Sequence, residues 1–194
     1  MNTSTKEPVS PVAERVASVH SSGSGVAQAL LDEFNRELAT TRDFLERIPE
    51  SQLNWRPHEK SMTAGQLALH MANVPAGVTR LSLADESTAP DFNATRQEAK
   101  SIREILDTLD QSAAFVRQTL LTIDDERMLG TVKIVQGGRT LVSLPRAVFL
   151  RSILLNHWYH HRGQLGVYLR LMGVRVPSCY GPSGDEPPRV LSAR

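Results

Sequence analysis

Residues 156–170 read NHWYHHRGQLGVYLR and hold three of the chain's six histidines within five positions. On an α-helix, positions i and i+4 lie about 40° apart on one face. His157 and His161 therefore share a stripe with Ile153, Gln164, Leu165 and Tyr168, and the stripe is largely apolar. Both imidazoles are expected to face inward. His160 is turned about 100° from His161 and is expected at the rim or against a neighbouring chain. His70, in the run LALHMANV, takes the same kind of inward position one turn after Leu67.

A single inward histidine is usually a core residue hydrogen-bonded to a carbonyl or hydroxyl, and one HxxxH pair is weak by itself. Three inward imidazoles from two helices are different. Each costs desolvation without a partner, whereas one divalent ion satisfies all three. Three neutral imidazoles leave the fourth tetrahedral position open, the pattern of a catalytic rather than a structural zinc site. Imidazole also suits nickel, iron and copper, so the ligand type leaves the metal open. On spacing alone, satisfied core histidines and a metal site both remain readings of His70, His157 and His161.

The neighbours have plainer alternatives. Gln164 and Arg162 could orient a ligand ring, with helix-surface ion pairing equally open for Arg162. Asn156 could meet a substrate or cap a side chain. Trp55 and Trp158 read as core or interface. Cys179 has only Arg175 as a basic neighbour in sequence, which argues against a reactive thiolate. Asp185 and Glu186 sit in the loop GPSGDE and read as solvated acids more readily than as groups at the site mouth. His58, after Pro57, is expected to be exposed.

Four amphipathic helices must position these residues. From Val26 to Ile48, Leu30, Leu31, Phe34, Leu38 and Leu45 recur with a 3.6-residue period, and Pro49 ends the helix. Thr63-Ala-Gly-Gln66 matches a capping box opening the second helix, which Pro75 should kink or interrupt. The third is expected over Arg96–Ile123, with Ile102, Ile105, Leu109, Ala113, Val116 and Leu120 as a bundle seam. The fourth takes Ser143 as its cap and Pro145 near its first turn, and runs to Gly173. Residues 84–95 read as an irregular crossover. Residues 130–143 suit a small hairpin about Gly137-Gly138. The fold class is all-α, a four-helix bundle with long crossovers.

The chain has 194 residues, 40% hydrophobic and 22% charged, enough for one core. Residues 1–25, rich in Ser, Thr and Pro, read as a disordered N-terminal tail carrying His20 as a bystander, leaving 26–194 as the bundle domain. A net charge of +1 with no basic stripe argues against nucleic acid. No run is long and apolar enough for a bilayer. With one cysteine, a disulfide framework and a cysteine-based zinc site are both excluded within the chain, which fits a cytoplasmic setting.

Three segments carry a resemblance to a known family. NHWYHHRGQLGVYLRLMGVRVPSCYGPSGDE (156–186) resembles the C-terminal signature of the DinB/YfiT-like family of bacterial metalloproteins. IPESQLNWRPHEKSMTAGQLALHMA (48–72) resembles the stretch leading to that family's first metal histidine, and PRAVFLRSILLNH (145–157) the start of its last helix. The resemblance implies a bundle of up-down-down-up topology, often dimeric. It also implies a three-histidine site for nickel or zinc, here His70, His157 and His161.

The expected function is a metal-dependent enzyme acting on a small-molecule substrate, either as a hydrolase or as a transferase with a low-molecular-weight thiol cosubstrate. The alternative is a non-catalytic metal-binding or stress-response protein. A homodimer is expected, because Trp158 and His160 flank the most apolar helix.

Overall fold

Apolar residues three and four apart build the first helix, α1 (Gly25–Glu46), whose buried face includes Leu30, Leu31, Phe34, Leu38 and Leu45. The computed structural model describes residues 25–91 and 96–188. The expected tail and His20 lie outside the described residues, apart from Gly25, which begins α1. One 3₁₀ turn (Glu50–Gln52) follows.

The second helix, α2 (Ala64–Leu83), opens on the expected capping box. Thr63 Oγ1 accepts from the Gln66 amide at 3.0 Å, and Gln66 Oε1 accepts from the Thr63 amide at 3.0 Å. The helix does not break at Pro75. Proline cannot donate to the carbonyl four residues back, yet that carbonyl, on Met71, accepts from the Trp158 indole Nε1 at 2.8 Å. The next amide, Ala76, donates to Ser112 Oγ at 2.8 Å. Two other helices thus repair what Pro75 removes.

The third helix, α3 (Ile102–Thr122), begins later than its sequence pattern suggested. Ser101 Oγ caps it by accepting from the Glu104 amide at 3.1 Å, and Glu50 Oε2 accepts from the Ile102 amide at 3.1 Å. Residues 96–100 instead lie along the start of α2. There Gln66 Nε2 donates to the Arg96 carbonyl at 3.3 Å and Thr63 Oγ1 to Glu98 Oε2 at 2.8 Å.

A short helix, α4 (Asp125–Leu129), precedes the hairpin. Strand β2 (Thr131–Gln136) pairs antiparallel with β3 (Arg139–Pro145). Gly137 and Gly138 turn between them with φ of 55° and 77°, as a primed turn requires. A third strand, β1 (Glu86–Thr88), lies parallel to β2 with Ser87 opposite Ile134. It falls in the segment read as irregular; three residues are too few to show an alternation.

Ser143 does not cap the last helix: it lies in β3 opposite Lys133. Helix α5 (Arg146–Phe149) starts after Pro145, widens into a π-helical stretch (Leu150–Leu155), and continues as α6 (Asn156–Leu171). Gly173 ends it at φ 75°, with the Val174 amide donating to the Leu169 carbonyl at 2.9 Å. Trp158 is fully buried and stacks on Phe34 with ring centroids 5.2 Å apart. The protomer's own core covers it, so it offers no surface to a second chain. The architecture is a four-helix bundle with a small three-stranded sheet, whose hairpin lies in the second long crossover and whose strand β1 comes from the first. No helix among the described residues is long and apolar enough to cross a membrane.

Candidate metal centre

Two helices meet where Trp158 donates to Met71, and each of these residues is next to a histidine. His70 precedes Met71 on α2, and His157 precedes Trp158 on α6. Tying 158 to 71 therefore brings the two rings together. His70 Nε2 stands 2.9 Å from His157 Nε2, and His161 Nε2 stands 2.7 Å from the same atom. The π-helical stretch ends at Leu155, two positions before His157, so a widened turn leads into the segment from which 157 and 161 face α2. His161 is buried, whereas His70 and His157 are half-buried, so the cluster sits at the edge of the core with one open side.

Hydrogen bonding fixes the state of one ring. The Tyr168 hydroxyl donates to the Met62 carbonyl at 3.2 Å, so its oxygen accepts from Gln164 Nε2, also at 3.2 Å. That orients the Gln164 amide so that Oε1 lies 2.9 Å from His161 Nδ1. An amide oxygen only accepts; His161 must carry its proton on Nδ1 and present a lone pair on Nε2 to its neighbours. Protonation is disfavoured at all three rings. Burial first, then the charges of His161, His157 and Arg96, lower the His70 pKa to about 4. Burial, His161 and His160 lower that of His157 to about 4. His161 is lowered chiefly by burial, against the opposing effect of the hydrogen bond it donates to Gln164. Near neutral pH the cluster is three uncharged imidazoles, the form that ligates metals.

The three ring nitrogens could hold one ion. At metal–nitrogen distances of about 2.0–2.1 Å, tetrahedral donors stand roughly 3.3 Å apart. The observed 2.7 and 2.9 Å are somewhat shorter than that separation, and all three donor atoms lie within 4.8 Å of one another. Among the described residues, His70, His157 and His161 are the group of ligand-bearing side chains whose atoms converge closely enough to share one ion.

Other residues singled out in the sequence lie elsewhere. His160 is exposed and stays outside the cluster, its ring centroid 4.8 Å from that of His161. Arg162 is neither a ligand-orienting group nor a surface ion pair. It is buried and turned toward α1, where Nη2 meets Glu37 Oε2 at 2.6 Å. Cys179, half-buried, hydrogen-bonds with Arg162; burial is the largest influence and pushes its thiol pKa up, which disfavours a thiolate there. Asp185 and Glu186 are tethers rather than free loop acids. Asp185 accepts from the Val176 amide at 2.8 Å and pairs with Arg170 at 2.7 Å, while Glu186 pairs with Arg47 at 2.6 Å. Asn156, exposed, accepts from Arg151. His58 is exposed, its Nδ1 accepting from the Lys60 amide at 3.1 Å. Trp55 packs edge-on against Tyr168, which supports the Gln164 chain from behind.

Sequence reasoning missed Arg96, whose charge reaches both His70 and His161. It lies 26 or more positions from every ring in the cluster, with no periodic signal, so only the fold places it there.

The DinB family profile matches residues 19–189, a span that contains all of the described residues. The chain belongs to the DinB family. Among relatives of this DinB protein, YrdA of Bacillus subtilis (strain 168) is 25% identical over 158 residues, covering 80% of this chain and 89% of YrdA. The crystal structure of a DinB-like protein from Bacillus cereus ATCC 10987 is 25% identical, with a TM-score of 0.61, over 79% of this chain and 97% of that one. YfiT from Bacillus subtilis, a probable metal-dependent hydrolase with an unusual four-helix bundle topology, is 16% identical with a TM-score of 0.55. That match covers 88% of this chain and 94% of YfiT. At that identity YfiT speaks for the shared fold alone.

Proposed function

We propose that this DinB protein is a metal-dependent enzyme that holds one divalent ion through His70, His157 and His161 and acts on a small molecule at the ion's open side. The observation that carries this reading is the convergence of three ring nitrogens from two helices, with the Nδ1 proton of His161 fixed by Gln164. An ion there would supply Lewis acidity, lowering the pKa of a coordinated water or thiol. The chain's own contribution is threefold. It keeps the imidazoles neutral, brings no carboxylate into the ligand group among the described residues, and adds the positive charge of Arg96 acting on His70 and His161. Each favours a negatively charged nucleophile over its protonated form. Nickel and zinc both suit the donor set.

The reaction class follows from which nucleophile binds, hydroxide for a hydrolase or thiolate for a thiol-dependent transferase. The test is protein purified without an affinity tag, analysed for metal, then loaded with cobalt and titrated with small thiols. A sulfur-to-metal charge-transfer band, lost in His161→Ala, supports the transferase. No band, with ester or amide hydrolysis rising toward neutral pH, supports the hydrolase described for YfiT. Neither response across a broad panel overturns the enzymatic reading in favour of a non-catalytic metal protein.

A further inference from the structure

We propose that the segment VAERVASV, residues 12–19, docks as a short helix in a groove of its own chain between α1 and the α5–π-helical stretch.

The groove encloses about 340 Å³. Val26, Ala29, Leu30 and Glu33 line one wall, spaced i, i+3, i+4 and i+7 along α1. Val148 of α5 and Arg151 of the π-helical stretch lie on the other. The apolar lips face each other uncovered, with Val26 38% and Val148 44% exposed. Arg151 Nη2 meets Glu33 Oε1 at 3.1 Å and ties the walls together at the end away from Gly25.

The place where the chain enters the fold names the occupant. Twenty-four residues precede Gly25, and α1 reaches the groove one position later, at Val26. Within those residues Ser10-Pro11 is a helix-opening pair, serine as cap and proline at the first helical position. On a helix Val12, Val16 and Val19 fall within about 60° of one another, with Glu14 and Ser18 on the opposite face. The step from Val12 to Val19 measures about 10.5 Å along a helix axis, and so does the step from Val26 to Glu33. The intervening HSSGSG, residues 20–25, is rich in serine and glycine and exceeds the 2–5 residues, roughly, that reverse one helix onto another. Antiparallel docking then sets Val19 by the Val26 lip and Val12 by Glu33. An eight-residue helix does not hold in water by itself; the groove supplies the burial that the segment lacks. Residues 12–18 precede the DinB match, so the docked segment is an addition of this chain to the family's bundle.

Hydrogen exchange on the full chain tests this. The amides of residues 12–19 should exchange about tenfold or more slowly than in an unstructured chain, the protection of a locally docked element. V16D, which leaves the bundle untouched, should remove that protection. So should V148D on the far wall and A29D on the near one, both at exposed positions, with α2 and α6 amides reporting that the bundle stays folded. E14Q, on the opposite face of the segment, should leave it in place. Fast exchange of 12–19 in the unaltered protein overturns the proposal, as does protection that survives V148D and A29D. Protection lost on diluting the sample about tenfold overturns docking within one chain and assigns the groove to the segment of a second copy.

Discussion

The Trp158 indole donates to the Met71 carbonyl at 2.8 Å, across the gap that Pro75 leaves in α2. Proline removes the helix's own donor to Met71, and a tryptophan on another helix replaces it. Because Trp158 follows His157 and Met71 follows His70, the bond that heals the helix also sets the spacing of the two rings.

Replacing Trp158 by Phe should keep an aromatic ring in the core but orphan the Met71 carbonyl. The orphaned acceptor alone should cost about 1–3 kcal/mol of stability. The same variant should bind metal more weakly although every histidine is present. Denaturant unfolding of metal-free protein, followed by metal titration, checks both; a loss of stability with unchanged affinity would separate the tie from the site.

His70→Ala, His157→Ala and His161→Ala should each abolish stoichiometric metal binding, while His160→Ala retains it, since its ring lies outside the cluster. Metal at 100 times its dissociation constant should stabilise the unaltered protein by about 2.7 kcal/mol. His160→Ala should show the same gain and the three others none. Thermal melts with and without metal decide it.

Gln164→Leu removes the acceptor that holds the His161 proton on Nδ1. The ring can then change tautomer or rotate, and metal affinity should fall roughly 10- to 100-fold, the usual cost of losing such a partner. Gln164→Glu supplies a stronger acceptor and should preserve binding. Tyr168→Phe should mimic Gln164→Leu more mildly, because it frees the amide to flip.

Metal-free protein should lose stability in mild acid. His70 and His157 ordinarily titrate near 6.5 but are held at about 4 in the fold. Below 6.5 the unfolded chain takes up protons that the folded one refuses, so stability falls as pH drops from 6.5 toward 4 and levels below that. His70→Gln should flatten the profile. A melting temperature constant across this window in unaltered metal-free protein would contradict the burial of these rings.

Some of this protein is local and could be read directly. The HxxxH spacing placed His157 and His161 on one face, Gly137-Gly138 marked the hairpin, and Thr63 with Gln66 marked the start of α2, because each depends on neighbours a few residues apart. The late start of α3 and the displacement of Ser143 into a strand were not legible. Helical periodicity does not report where a cap such as Ser101 wins, or where a pairing partner such as Lys133 waits.

The site itself divides the same way. Sequence determined which imidazoles were available and that two of them are neighbours on a helix. Tertiary structure decided everything that joins residues far apart: the Trp158 donor for Met71, 87 positions away; the Met62 carbonyl that, through Tyr168 and 106 positions, sets the His161 proton; and the charge of Arg96 that disfavours protonation of His161. Hydrogen bonds and charges act through space over a few ångströms, and a linear pattern carries no record of which distant residues the packed helices bring within that range.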